Sequence, residues 1–188
     1  MKKSAGFTLI ELMVVIAIAS ILMTLAVPSF KQMIQSNTIS SNVNNFLADM
    51  RYARSESVRR GGGVIMCRSN APEAASPVCN NGSGPGNNGW VSGWIIFHDV
   101  NGDGTRTAAS TAATDPILRV QAAITSIDSI DQGGSSTDFI FTATGRLRPV
   151  STTSMRFGGG DFTSTTQRRV CVSVGGHARI AGDGLAAC

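Results

Sequence analysis

Sixteen consecutive residues, Leu12 to Val27, carry no charge, and the apolar stretch around them from Phe7 to Phe30 is long enough to cross a bilayer as one helix. Lys2 and Lys3 precede it, so the positive-inside rule leaves the N-terminus in the cytoplasm and sends the rest of the chain out. Glu11 breaks the pattern. An unpaired carboxylate at that place either costs on the order of a few kcal/mol or stays protonated, so it needs a partner. Cleavage after Gly6 would free the amine of Phe7, close to the level of Glu11. If one subunit's amine met the next subunit's Glu11, the two charges would neutralise each other. A head-to-tail contact of that kind does not close on itself and builds a helical filament. Two simpler readings compete. Ala17-Ile18-Ala19 has the form of a signal peptidase site, which would make the segment a secretory signal. The segment could also be a plain anchor whose Glu11 snorkels to the interface.

The contiguous string Gly6-Phe7-Thr8-Leu9-Ile10-Glu11-Leu12 favours the first reading, because it resembles the prepilin processing motif. The resemblance implies a prepilin peptidase that cuts after Gly6 and methylates Phe7, and Pro28 stands where such helices usually kink. The helix is expected to continue to about Arg60, bent and not ended by Pro28. Val43, Phe46, Leu47, Met50, Ala53 and Ser57 recur at three- and four-residue steps and form one face for a sheet. Asp49, Arg51, Glu56 and Arg59 are expected mainly off that face, and Gly61-Gly62-Gly63 stops the helix. Tyr52-Ala53-Arg54-Ser55-Glu56-Ser57-Val58 resembles a block of the FimT/GspH minor pilins and pseudopilins. That resemblance implies a structural subunit of a type IV pilus or type II secretion pseudopilus, assembled with other subunits of its kind. The expected organisation is a cleaved leader (1–6), a long helix (7–60, with 7–30 in the inner membrane) and a periplasmic head (61–188).

The head is rich in glycine and reads as short strands between turn-rich loops. Strands are expected at Val64–Cys67, Trp90–Phe97, Ile117–Ala123, Phe139–Phe141, Met155–Phe157 and Arg169–Val174, with loops at Pro72–Gly89 and Thr105–Asp115. The fold class is α+β: a long N-terminal helix packed on antiparallel β-sheets, the pilin-like arrangement. Cys67, Cys79, Cys171 and Cys188 match no zinc spacing and allow three disulfide connectivities. Local pairing, Cys67–Cys79 and Cys171–Cys188, is preferred. Each such bridge stabilises by about 3 kcal/mol in the chain-entropy picture and places the head in an oxidising compartment.

The remaining constellations point away from catalysis. There is no G-x-S-x-G, H-E-x-x-H or P-loop string, and His98 beside Asp99 has no assignable nucleophile. The chain is therefore read as no enzyme and as needing no cofactor; a secreted or periplasmic enzyme released by signal peptidase is the remote alternative. Asp99, Asn101, Asp103 and Gly104 spell D-x-N-x-D-G, the opening of a calcium loop, but Ser110 stands where the twelfth-position Glu belongs. A hairpin turn is the preferred reading there, with calcium second.

From residue 61 onward nine Arg balance nine acids, unevenly: 61–138 carries three Arg and seven acids, 139–188 six Arg and two acids. DNA-binding members of the FimT branch carry a G-R-x-R motif near the C-terminus. Gly145-Arg146-Leu147-Arg148 matches its letters but comes early; Gly176-His177-Ala178-Arg179 has the expected place with His for the first Arg. A three-residue loop ending at His177 would set Ala178 against Val174 and Ile180 against Val172, turning Arg179 outward. Solvated strand and turn residues are the leading explanation of Arg146, Arg148, His177 and Arg179; contact with double-stranded DNA during uptake is the alternative function.

Overall fold

The computed structural model describes residues 7–133, 137–148 and 153–188. The expected leader, with Lys2, Lys3 and Gly6, lies outside the described residues. Helix α1 runs Leu9–Arg60, and the chain divides into two compact units, 1–37 and 38–188. The first unit is a helical segment whose large apolar side chains, including Leu12, Val15, Ile18, Leu22 and Phe30, are exposed. Its best 18-residue window has a mean hydropathy of 2.6, which is long and apolar enough to cross a membrane.

In the second unit α1 buries Ile39, Val43, Phe46, Leu47, Met50, Ala53 and Ser57, the periodic face expected of it. Gly61, Gly62 and Gly63 all take positive φ (82°, 111° and 67°), which unwinds the helix and feeds β1, Gly62–Arg68. The strands that follow are β2 Trp94–His98, β3 Ile117–Gln121, β4 Ser129–Gln132, β5 Asp138–Thr142, β6 Leu147–Arg148, β7 Thr153–Gly158, β8 Arg168–Val172 and β9 Ala178–Asp183. They form a five-stranded sheet in the order β3-β2-β1-β5-β6 and a four-stranded sheet in the order β4-β7-β8-β9. Every pairing within them is antiparallel.

Phe46 is the centre of the core. Its ring meets those of Trp94 (5.7 Å), Phe139 (6.1 Å) and Phe157 (5.6 Å) edge-on, so one helical side chain touches β2, β5 and β7 and holds both sheets. On the opposite face of the larger sheet, Ile65, Cys67, Ile95 and Phe97 make a second cluster against Cys79. The loop that covers it is fastened by the Cys67–Cys79 disulfide and by the buried Arg68. Arg68 Nη2 donates to the carbonyls of Asn80 (2.9 Å) and Asn81 (2.7 Å). A strand covered on both sides explains why Trp94 to Phe97 is apolar at every position.

Three expectations need correction. Trp90–Ser92 is a turn of 3-10 helix and not the start of a strand, because Gly93 follows at φ +102° in a space where a Cβ would meet the Gln121 carbonyl at 2.5 Å. Strands β4 and β6 were not anticipated; Ser129-Ile130-Asp131-Gln132 offers one apolar side chain to a pattern search. Asp49 and Glu56 are buried on the packed face of α1 and do not point away from it. Trp94 Nε1 donates to Asp49 Oδ2 (2.8 Å), and Arg119 Nε lies 2.9 Å from Oδ1. Burial pushes the Asp49 carboxyl above the ordinary range, opposed by the Trp94 bond and the Arg119 charge. Glu56 is held below the ordinary range by hydrogen bonds from Arg59 and Arg60.

Candidate functional site

At the start of α1 the sequence Thr8-x-x-Glu11 closes a capping box. Thr8 N and Thr8 Oγ1 both donate to Glu11 Oε2 at 2.8 Å, and Glu11 N donates to Thr8 Oγ1 at 3.3 Å. The carboxylate in the apolar run thus has a local task, satisfying main-chain donors that a helix start leaves open. The T-x-x-E spacing is the sequence signal of this cap, and the charge of Glu11 alone does not reveal it. Phe7, one residue before the cap, is almost fully exposed.

The second constellation is basic. Of the nine arginines from residue 61 onward, six are engaged. Arg68 and Arg106 are buried and donate to main-chain carbonyls. Arg119 lies against Asp49 and Arg156 against Asp131. Arg168 and Arg169 donate to carbonyls of Gln167 and Gly184. Arg146, Arg148 and Arg179 are exposed, and among the described residues none of their guanidinium groups has a hydrogen bond or ion pair.

Arg146 lies in the turn before β6, Arg148 in β6 and Arg179 at the start of β9, and the turns that lead into these two strands are in contact. Gly176 stands at φ +73°, and a Cβ there would lie 2.1 Å from the Gly145 carbonyl oxygen, an approach that only glycine permits. Leu147 N donates to Val174 O (2.9 Å), and Arg54 of α1 donates through Nη1 to Gly175 O (2.6 Å). Gly-Arg-Leu-Arg (145–148) and Gly-His-Ala-Arg (176–179), separate in sequence, therefore share one edge of the head.

The hairpin register differs from the expected one. The β8–β9 connection takes five residues, 173–177, pairing Ala178 with Val172 and Ile180 with Val170. A shift of two residues keeps each side chain on its face, so Arg179 still points outward, whereas Ile180 stays half-exposed and does not enter the core. The Cys171–Cys188 bridge, with Cα atoms 5.5 Å apart, fixes the chain end to β8 beside this hairpin. His177 is exposed at the tip.

The segment after β2 makes a tight turn. Asp99 accepts from Gly102 N (2.7 Å) and Gly104 N (2.9 Å), and Asn101 Nδ2 donates to Asp103 Oδ2 (2.8 Å). Ser110 Oγ accepts from Thr107 N (3.0 Å) in a turn of its own.

Comparison with known proteins adds three findings. A family described as type II transport protein GspH matches residues 42–176, and the prokaryotic N-terminal methylation motif matches residues 1–27. No curated protein gives a significant match. Among solved structures the fold is similar to that of the type IV minor pilin FimU of Pseudomonas aeruginosa, with TM-score 0.55 and 19% identity over 80% of this chain and 93% of that one. A second crystal form of FimU gives 0.51 and 18%, over 79% of this chain and 96% of the other.

Proposed function

The chain belongs to the GspH family, whose members are minor pilins and pseudopilins, and from that premise we propose that it waits in the inner membrane, is cut after Gly6 and joins a filament through Glu11. The observation that carries this reading is the methylation motif, residues 1–27, which contains a helix cap, Thr8–Glu11, directly behind the exposed Phe7. Residues 7–30 span the membrane and the β-rich head stands in the periplasm, where Cys67–Cys79 and Cys171–Cys188 can form. The role is structural and involves no catalytic step by this chain. Mass spectrometry of the mature N-terminus tests it: the expected first residue is N-methylated Phe7. A mature form starting at Ser20 would instead indicate signal peptidase and a released domain.

A second function rests on the contact between the two arginine loops. We propose that Arg146, Arg148 and Arg179, with His177 at the tip, hold the backbone of double-stranded DNA weakly and without regard to sequence. Three cations without acidic partners, in or directly after two touching turns, support this. Three neutralised phosphates give a log–log salt slope of about −2 to −3 and a dissociation constant that is micromolar or weaker. Titration of a labelled duplex with the detergent-solubilised protein at two salt concentrations measures both. Arg179→Ala is expected to flatten the slope by roughly one unit, and His177→Arg to tighten binding by adding a forked contact. Unchanged binding in Arg146, Arg148 and Arg179 variants would leave the protein with its filament role alone.

A further inference from the structure

The connection between β2 and β3 gathers more negative charge than a turn requires. One carboxylate oxygen from each of Asp99, Asp103 and Asp115 lies within 4.8 Å of the other two. Among the described residues no Lys, Arg or His forms an ion pair with any of them. Asp115 is completely buried; its Oδ2 accepts from the adjacent Thr114 Oγ1 (3.1 Å), and its Oδ1 is buried with no hydrogen-bond partner. Arg106, also buried, donates to the main-chain oxygens of Asp115 and Pro77 and not to the carboxylate. A charged oxygen out of water without a donor is strongly unfavourable, and a third carboxylate beside two others makes it more so. A divalent cation removes both difficulties.

We propose that Asp99, Asn101, Asp103 and Asp115 form a calcium site, with Asp115 acting in place of the glutamate that the loop lacks at Ser110. The donor set is oxygen alone, which excludes the soft and borderline metals that favour sulfur and imidazole. The irregular loop, with Gly102 at φ +77° and Gly104 at φ +79°, suits the tolerant coordination of calcium better than the strict octahedron of magnesium. Gly104 also occupies the sixth position, where calcium loops of this type need glycine. His98 N donates to Pro116 O (3.0 Å) and Val100 N to Thr114 O (2.9 Å), so Asp99 and Asp115 stand at the two feet of one hairpin connection. The ion would clamp those feet together and order the intervening residues.

The test uses the full chain in detergent, stripped with chelator and titrated with calcium chloride by calorimetry and by thermal unfolding. The expected result is one calcium per chain with a dissociation constant on the order of 10⁻⁴ to 10⁻³ M, as in extracellular calcium modules. The melting temperature should rise at saturation, and magnesium at the same concentration should not reproduce the rise. Asp103 is exposed, so Asp103→Asn keeps the fold and is expected to weaken calcium about tenfold or more by removing one ligand charge. Asp115→Asn is expected to abolish the response. Absence of heat and of thermal shift in the parent protein, or calcium affinity unaltered by Asp103→Asn, overturns the proposal even if the Asp115 variant does not fold.

Discussion

Glu11→Val is expected to reach the membrane at wild-type levels or better and to be absent from the assembled filament. Insertion improves because a charge leaves the apolar run. Assembly is expected to fail because, in the proposed contact, the amine of the neighbouring subunit's Phe7 would enter a low-dielectric site without its counter-charge. Removing one member of a buried ion pair costs about 3–5 kcal/mol, more than roughly a hundredfold in the equilibrium for each subunit added. The capping box supplies a sharper control. Val also abolishes the bonds from Thr8, which are worth about 1 kcal/mol to the start of the helix. Glu11→Gln keeps an acceptor at the third helical position, as capping boxes allow, while deleting the charge. Both variants should be lost from sheared filaments probed against the membrane fraction. Normal incorporation of the Gln variant would assign Glu11 to the cap alone; normal incorporation of both would remove it from assembly.

Gly176→Ala is expected to be the most damaging single methyl addition at the arginine edge. The backbone conformation at φ +73° costs a non-glycine residue about 1–2 kcal/mol, and the new Cβ would press on the Gly145 carbonyl and on Phe141 Cε1, 3.2 Å away. Overpacking of that kind adds about 1–3 kcal/mol. Together they lower the melting temperature of a domain this size by on the order of 10 °C. Gly175 is the matched control: an added Cβ there meets His177 Cδ2 at 3.5 Å and Ser173 Oγ at 3.7 Å, ordinary contacts. Gly175→Ala should therefore melt with the parent. Equal melting of the two variants would mean that the loops of residues 145 and 176 do not touch in solution.

The long helix and its end were legible because both signals are local: a 3.6-residue apolar period and three glycines in a row. The apolar run Trp94–Phe97 of β2 and the valines of β8 are local signals of the same kind. What stayed hidden depends on partners distant in sequence. Nothing near Asp49 announces Arg119 or Trp94, so an acid three residues after Phe46 looked solvated when it was packed. Strand β4 is recruited by pairing with β7, not by its own composition. The two arginine strings looked like rival versions of one motif, and their contact through Gly145 and Gly176 makes them neighbours. Asp115 is not legible in the sequence because the calcium-loop template places its last acid by count, whereas the hairpin places Asp115 by folding back.

Because α1 passes through only Gly61 before β1 begins, any pull on the helix that overcomes its packing against the sheets passes directly into that strand. β1 lies inside its sheet, bonded to β2 on one side and β5 on the other. An edge strand under tension would surrender one ladder, pair by pair; extracting β1 requires two ladders to give way together. Cys67, near the strand's far end, is crosslinked to Cys79, so slack released from β1 cannot run freely into the loop beyond it. The head is thus joined to its helix at a mechanically resistant point, a useful property for the filament role proposed for it.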